Sequence, residues 1–191
     1  MHLSAVLLDF AATVAAIEFR LYDNANCNGG YLEWRNVDPG MCIAYDRDDH
    51  SSGEWRAIPY DWHINVGIYK DGGCKTLVAS SDVYNQNTKC LSAPGRVLTA
   101  GRYHFVNKRR SIRNTCEVSS APEAVQEQCT EQGPPPQFAG LVDGTLYNIE
   151  GLSTDLVDTL VSFTKNGSTA ADVPEVFQNL VVDNPPSARK L

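Results

Sequence analysis

One pattern is written twice between Ile17 and Val106, and it limits the chain more than any other feature. Ile17-Glu18-Phe19-Arg20-Leu21-Tyr22 reads against Ile64-Asn65-Val66-Gly67-Ile68-Tyr69. Five residues past each tyrosine stands a cysteine, Cys27 or Cys74, and a second cysteine follows in each copy, Cys42 or Cys90. Near the end Gly53-Glu54-Trp55-Arg56-Ala57-Ile58 answers Gly101-Arg102-Tyr103-His104-Phe105-Val106. A unit this short cannot bury its apolar face alone, so the two copies, 17–59 and 64–106, are expected to form one core.

Within each copy the signals are those of strands. Ile17, Phe19 and Leu21 alternate with Glu18 and Arg20, and Ile64, Val66 and Ile68 alternate with Asn65 and Gly67. Asp23–Gly30 and Lys70–Gly73 are rich in Asn, Asp and Gly, the residues that turns require. Further strands fit Tyr31–Arg35, Met41–Tyr45, Lys75–Ala79 and Arg102–Asn107. Short strands divided by regular turns predict a mainly β chain, a duplicated sandwich.

The six cysteines, Cys27, Cys42, Cys74, Cys90, Cys116 and Cys129, form an even set without Cys-x-x-Cys, which reads as a disulfide framework rather than a metal or redox site. The repeat favours local closure: Cys27–Cys42, Cys74–Cys90 and, by remainder, Cys116–Cys129. Exchange between the copies, Cys27–Cys90 with Cys42–Cys74, preserves the symmetry equally well. Disulfides imply export. Residues 1–16, ending Val14-Ala15-Ala16, have the length and small-residue close of a signal peptide, although Asp9 interrupts the apolar run. The expected location is extracellular.

Tyr22-Asp23-Asn24-Ala25-Asn26-Cys27-Asn28-Gly29 resembles the aromatic, four residues, aromatic, any, glycine signature of the βγ-crystallin Greek key, with Cys27 in the second aromatic's place. The second copy departs from it, with Thr76 where the glycine belongs. The resemblance implies a double Greek-key domain over 17–107. The leader, the cysteine-bearing repeats and the tail are also similar in style to small secreted cysteine-rich proteins of filamentous fungi, treated as candidate effectors.

Beyond the repeats, 108–136 joins a basic Lys108-Arg109-Arg110 run, a segment bounded by Cys116 and Cys129, and the Pro-rich linker Gly133-Pro134-Pro135-Pro136. The basic run reads either as a dibasic processing site or as a solvated patch. Residues 137–191 form an acidic tail in which Leu152, Leu156, Val157, Leu160 and Val161 share one helical face, as do Val176, Phe177, Leu180 and Val181. Asn166-Gly167-Ser168 is a glycosylation sequon between the two stripes.

With a net charge of −7, nucleic acid and anionic membranes are excluded as main partners. Three chemistries remain. Trp34 and Trp62, which lack aromatic counterparts in the other copy, are candidate surface rings for a cell-wall glycan, with Glu33 and Asp61 accepting hydroxyl bonds. The resemblance to calcium-binding crystallin motifs makes Asp48, Asp49, Ser51 and Ser52 a candidate calcium loop, and otherwise no cofactor is expected. His50, His63 and His104 with Glu33, Glu54 and Arg56 could compose an acid/base site, but no spacing supports it. The expectation is a non-catalytic, monomeric interaction protein whose partner is a protein or a glycan.

Overall fold

The computed structural model describes residues 17–47, 50–93, 95, 98–106 and 132–182. The leader, Asp48 and Asp49, the basic run 108–110, Cys116 and Cys129 lie outside the described residues.

The alternation read in the first repeat is realised in β1 (Ile17–Tyr22), where Ile17, Phe19 and Leu21 are buried and Glu18 and Arg20 face outward. It pairs on one side with β2 (Tyr31–Val37) and on the other with β4 (Ser52–Arg56), both antiparallel. The register slips by one residue between Ile17 and Phe19, and Asn36 beside the slip has a φ of 56°. The extra residue is in β2, and that bulge lets Trp34 and Val37, three residues apart, both turn into the core. In the second half β5 (Ile64–Lys70) lies between β6 (Thr76–Val83) and β8 (Ala100–Phe105). Ile64, Val66 and Ile68 are fully buried.

The third strand of each half crosses over. The two-residue β3 (Ile43–Ala44) pairs with β8, and β7 (Lys89–Ser92) pairs with β4. Each sheet is therefore closed by a strand from the other half, in the orders β2-β1-β4-β7 and β6-β5-β8-β3. Phe19, Trp34, Trp55 and Tyr103 meet where the sheets face one another, with ring centroids 4.6–5.8 Å apart. Close approach requires glycine at two points. A Cβ on Gly101 would lie 2.6 Å from the Phe19 ring, and one on Gly53 would lie 2.7 Å from an Ile68 methyl.

This exchange of strands corrects the local disulfide pairing. Cys42 immediately precedes β3 and is carried to the second sheet, where it bonds Cys74. Cys90, on β7, is carried to the first sheet and bonds Cys27. The bridges follow the strands that change sheets, so the inter-copy alternative holds for these four cysteines.

Residues 132–182 build outward from the first sheet. The Pro-rich segment runs as an extended strap: Gly133 N–H donates to the Cys42 carbonyl (2.7 Å) and the Trp34 indole N–H donates to the Pro134 carbonyl (3.0 Å). Then β9 (Phe138–Gly140) pairs with β2, β10 (Leu146–Asn148) with β9, and β11 (Val181–Val182) with β10, giving seven strands. The first apolar stripe forms α1 (Thr154–Lys165), which buries Leu160, Val161 and Thr164 but leaves Leu156 exposed. The second expected helix is instead a 3-10 segment, Glu175–Leu180, anchored by Phe177, with Val176 exposed. Its carbonyl-to-amide pattern cannot settle into an α-helix, because the chain must be extended again at Val181 to reach β10.

Candidate binding end of the sandwich

The outward-facing polar residues of the first sheet are spent on one another. Glu33 is fully buried and receives the Nε of Arg20 at 2.6 Å and that of Arg35 at 2.5 Å. The two guanidinium groups lie 4.2 Å from the Tyr31 and Phe138 ring centroids respectively, so each charge is held between a carboxylate and a π face. Burial opposes the charge on Arg20, but Glu33 and the tyrosines beside it outweigh this and hold its pKa above the ordinary arginine value. Next to this group the Tyr22 hydroxyl donates to Glu54 at 2.8 Å, and Arg56 stands 3.9 Å from the same carboxylate. Burial, reinforced by the Glu54 charge, pushes the Tyr22 phenol up. Phe138 belongs to β9, so the layer also fastens β9 to β2.

Two of the candidate glycan-binding residues are therefore misplaced. Trp34 is 1% exposed and Glu33 is not exposed at all. Trp34 points inward with Leu32, packs on Phe19, and is covered by the strap a hundred residues further on. Residues 17–106 alone could not reveal this, since the covering segment lies at Pro134. Trp62 and Asp61 are placed otherwise. Asp61 is exposed and Trp62 partly so, in the connection between β4 and β5.

That connection forms one end of the sandwich. Trp62 N–H donates to the Pro59 carbonyl, closing a turn, and the Trp62 ring rests on Phe105 with centroids 4.7 Å apart. His63 holds the end of β8 through a bond from the Val106 N–H (2.9 Å), and its ring lies 5.6 Å from that of Tyr84. Tyr84 opens the turn Tyr84–Thr88 between β6 and β7, all five residues of which are exposed. The two connections are clamped: Ile58 N–H donates to the Asn87 carbonyl and the Asn87 side-chain amide donates back to the Ile58 carbonyl, both at 3.0 Å. Tyr60 and Tyr84 are 63% and 56% exposed. These are large values for aromatic rings next to fixed backbone, and they make this end the candidate contact surface.

The remaining candidates are scattered. Ser52 is buried, donating to the Asn24 carbonyl and accepting from the Cys27 N–H, so its hydroxyl serves the Asp23–Gly30 turn. Among the described residues no group of three His, Cys, Asp or Glu side chains is arranged to hold a metal ion. His104 lies on β8 of the second sheet and His63 just before β5, whereas Glu33, Glu54 and Arg56 lie on the first sheet. His50 is buried with its Nε2 3.6 Å from Asp23 and its ring edge toward Tyr45. Asn166 is exposed at the C-terminal cap of α1.

The helix sits at the other end. The Tyr45 hydroxyl and Arg47 both donate to Asp158 on α1, at 3.2 and 3.0 Å, and a side chain at Gly30 would strike the Thr164 carbonyl. Burial, with the Asp158 charge, pushes the Tyr45 phenol up to about 12. The opposite, aromatic end was only half legible in the sequence. In the sequence Trp62 stands out as an aromatic without a counterpart, with Asp61 beside it, whereas Tyr60, Tyr84 and Phe105 carry no such mark. The signal that could have found Tyr84 is its position before Asn85-Gln86-Asn87-Thr88, a run too polar to bury an aromatic ring.

A family model for an N-terminal domain, ARB_05566_N, matches residues 18–136, and a companion model for a C-terminal domain, ARB_05566_C, matches residues 142–186. The chain belongs to the ARB_05566 family. The N-terminal match spans the eight strands of the sandwich and the strap, and the C-terminal match spans β10, α1 and β11. A protein of Arthroderma benhamiae described as an "uncharacterized secreted protein" is 25% identical over 172 residues, covering 87% of this chain and 85% of that one. No solved structure matches the chain. Among the described residues, no helix is long and apolar enough to cross a membrane.

Proposed function

We propose that this ARB_05566 family member is an exported, disulfide-crosslinked interaction protein that acts as a monomer, without catalysis, at the surface of a host or competitor cell. The observation that carries this reading is how the polar and aromatic side chains are divided. Glu33, Glu54, Tyr22 and the three arginines satisfy one another, while Tyr60, Tyr84 and Trp62 stay exposed at one end. Export is supported by the two disulfides and by the secreted relative from a fungus. A leader cut before Ile17 leaves β1 whole, since Ile17 is its first residue. The exchange of β3 and β7 between sheets supports a duplicated Greek-key sandwich of the crystallin kind, and the exposed Asn166 supports glycosylation.

Two experiments test the reading. The intact mass of protein recovered from culture fluid should correspond to a chain beginning at Ile17 and should rise by about six hydrogens on reduction. Full-length protein inside the cell with free thiols would refute export. Labelled wild-type protein should be retained on intact cells of the target surface, and the variant carrying Tyr60→Ala and Tyr84→Ala should not. Equal retention of the two would remove the aromatic end from the mechanism.

A further inference from the structure

The aromatic end has a composition that narrows its ligand. The rings at this end are Tyr60, Trp62, His63, Tyr84 and Phe105, and beside them the exposed turn Tyr84–Thr88 carries only amide and hydroxyl side chains: Asn85, Gln86, Asn87 and Thr88. This turn has no charge and no aliphatic side chain. The single carboxylate in the connection that faces it is the exposed Asp61. An anionic ligand would require cations, and this turn supplies none. Flat ring faces next to amides and one carboxylate instead suit a neutral molecule with an apolar C–H face and a rim of hydroxyl groups. Amides both donate and accept, and a carboxylate accepts from two hydroxyls at once.

We infer that the Tyr60–His63 connection and the Tyr84–Thr88 turn together form a binding site for a neutral pyranose chain. This rests on the reading of that end as the contact surface, and assigns it a ligand class. The backbone clamp between Ile58 and Asn87 fixes the two connections relative to each other before any ligand arrives. Little backbone ordering is then left for binding to impose. One sugar face would stack on Tyr84 or Tyr60, with Asp61 and Gln86 bonding its hydroxyls.

Trp62 provides a built-in reporter. Trp34 and Trp55 are buried, so Trp62 is the one tryptophan of the three within reach of a ligand. Chitohexaose, laminarihexaose, cellohexaose and mannohexaose should be titrated separately while tryptophan emission is followed. At least one should shift the emission saturably. Tyr84→Ala should weaken that sugar on the order of tenfold, with the melting temperature within about 2 °C of wild type. Gln86→Ala, which leaves every ring in place, should weaken it as well. No response to any of the four sugars, or a response unchanged in the variant lacking both Tyr60 and Tyr84 rings, overturns the inference. If all four fail while that variant still loses retention on intact cells, the carbohydrate assignment falls and the contact surface stands. If retention is also unchanged, both fall.

Discussion

Removing the bridges one at a time should reveal that they are nested. Cys27 and Cys90 are separated by 63 residues, and Cys42 and Cys74, inside that loop, by 32. Taken alone, loops of these lengths restrict the unfolded chain by about 4.3 and about 3.7 kcal/mol in the chain-entropy treatment. With the inner bridge intact, however, the outer one closes a route of only about 31 residues, because the unfolded chain can pass through the inner sulfurs. Replacing Cys27 and Cys90 by serine should therefore cost about 3.7 kcal/mol, and replacing Cys42 and Cys74 about 3.1 kcal/mol. Losing both should cost about 7.4 kcal/mol, roughly 0.6 more than the separate losses together. That total rivals the whole stability of an ordinary domain, so the series belongs in urea melts with a fixed concentration of sucrose. Peptide mapping without reduction should recover Cys27 joined to Cys90. A smaller loss for the outer pair than for the inner pair, or a peptide joining Cys27 to Cys42, would refute the reasoning.

Three further outcomes follow from single side chains. Burial pushes the Asp23 carboxyl up to about 6 from 3.8, outweighing the opposing pull of Thr164 and Lys165. The folded protein then holds that proton more tightly than the unfolded chain. The contribution is complete below about pH 4 and lost as pH rises through about 6, by at most about 3 kcal/mol. Asp23→Asn should flatten the melting temperature between pH 4 and 6 and raise it at pH 7, and a melting curve that still falls across that window would contradict the assignment. Gly30→Ala should push the Thr164 carbonyl and the end of α1 away from the turn, costing about 1–3 kcal/mol, and faster amide exchange confined to α1 would report it. Glu33→Ala leaves Arg20 and Arg35 unpaired in a covered layer and should cost about 3–5 kcal/mol, with β9 the first strand to lose exchange protection. A loss below about 1 kcal/mol would show the layer to be surface decoration.

The legible part of the fold is the part written in local periodicity. The alternation in Ile17–Leu21 and Ile64–Ile68 placed two central strands and the inward side of each, because a strand's faces are set two residues at a time. Which sheet a strand joins is not a local property. Nothing around Ile43 or Cys90 says that β3 and β7 exchange, and the disulfide pairing depends on that exchange. Trp34 shows the same limit at the level of one residue. Lack of a counterpart in the other copy points to a surface ring, but the strap that covers Trp34 lies at Pro134, a hundred residues away. The tail's second apolar stripe has helical spacing for the same local reason, while the pairing of Val181 with Tyr147 holds the chain extended there.

The placement of crosslinks and rings follows one logic. In the strand register the Asp23–Gly30 turn and the 71–74 turn lie at one end, and Arg56, Lys89, Ile64 and Phe105 lead to the other. Each bridge starts in a turn of the first end, at Cys27 or Cys74, and runs to a strand borrowed from the opposite half. Both sheets are thereby locked at the end where α1 also docks through Asp158. The aromatic end has no crosslink of its own among the described residues and is held by the Ile58–Asn87 clamp and the ring contacts of Trp62 and His63. A binding surface made of exposed tyrosines, as proposed for this end, binds best when its backbone is already ordered. The clamp supplies that order, and the covalent bridges stay at the far end, away from the proposed ligand.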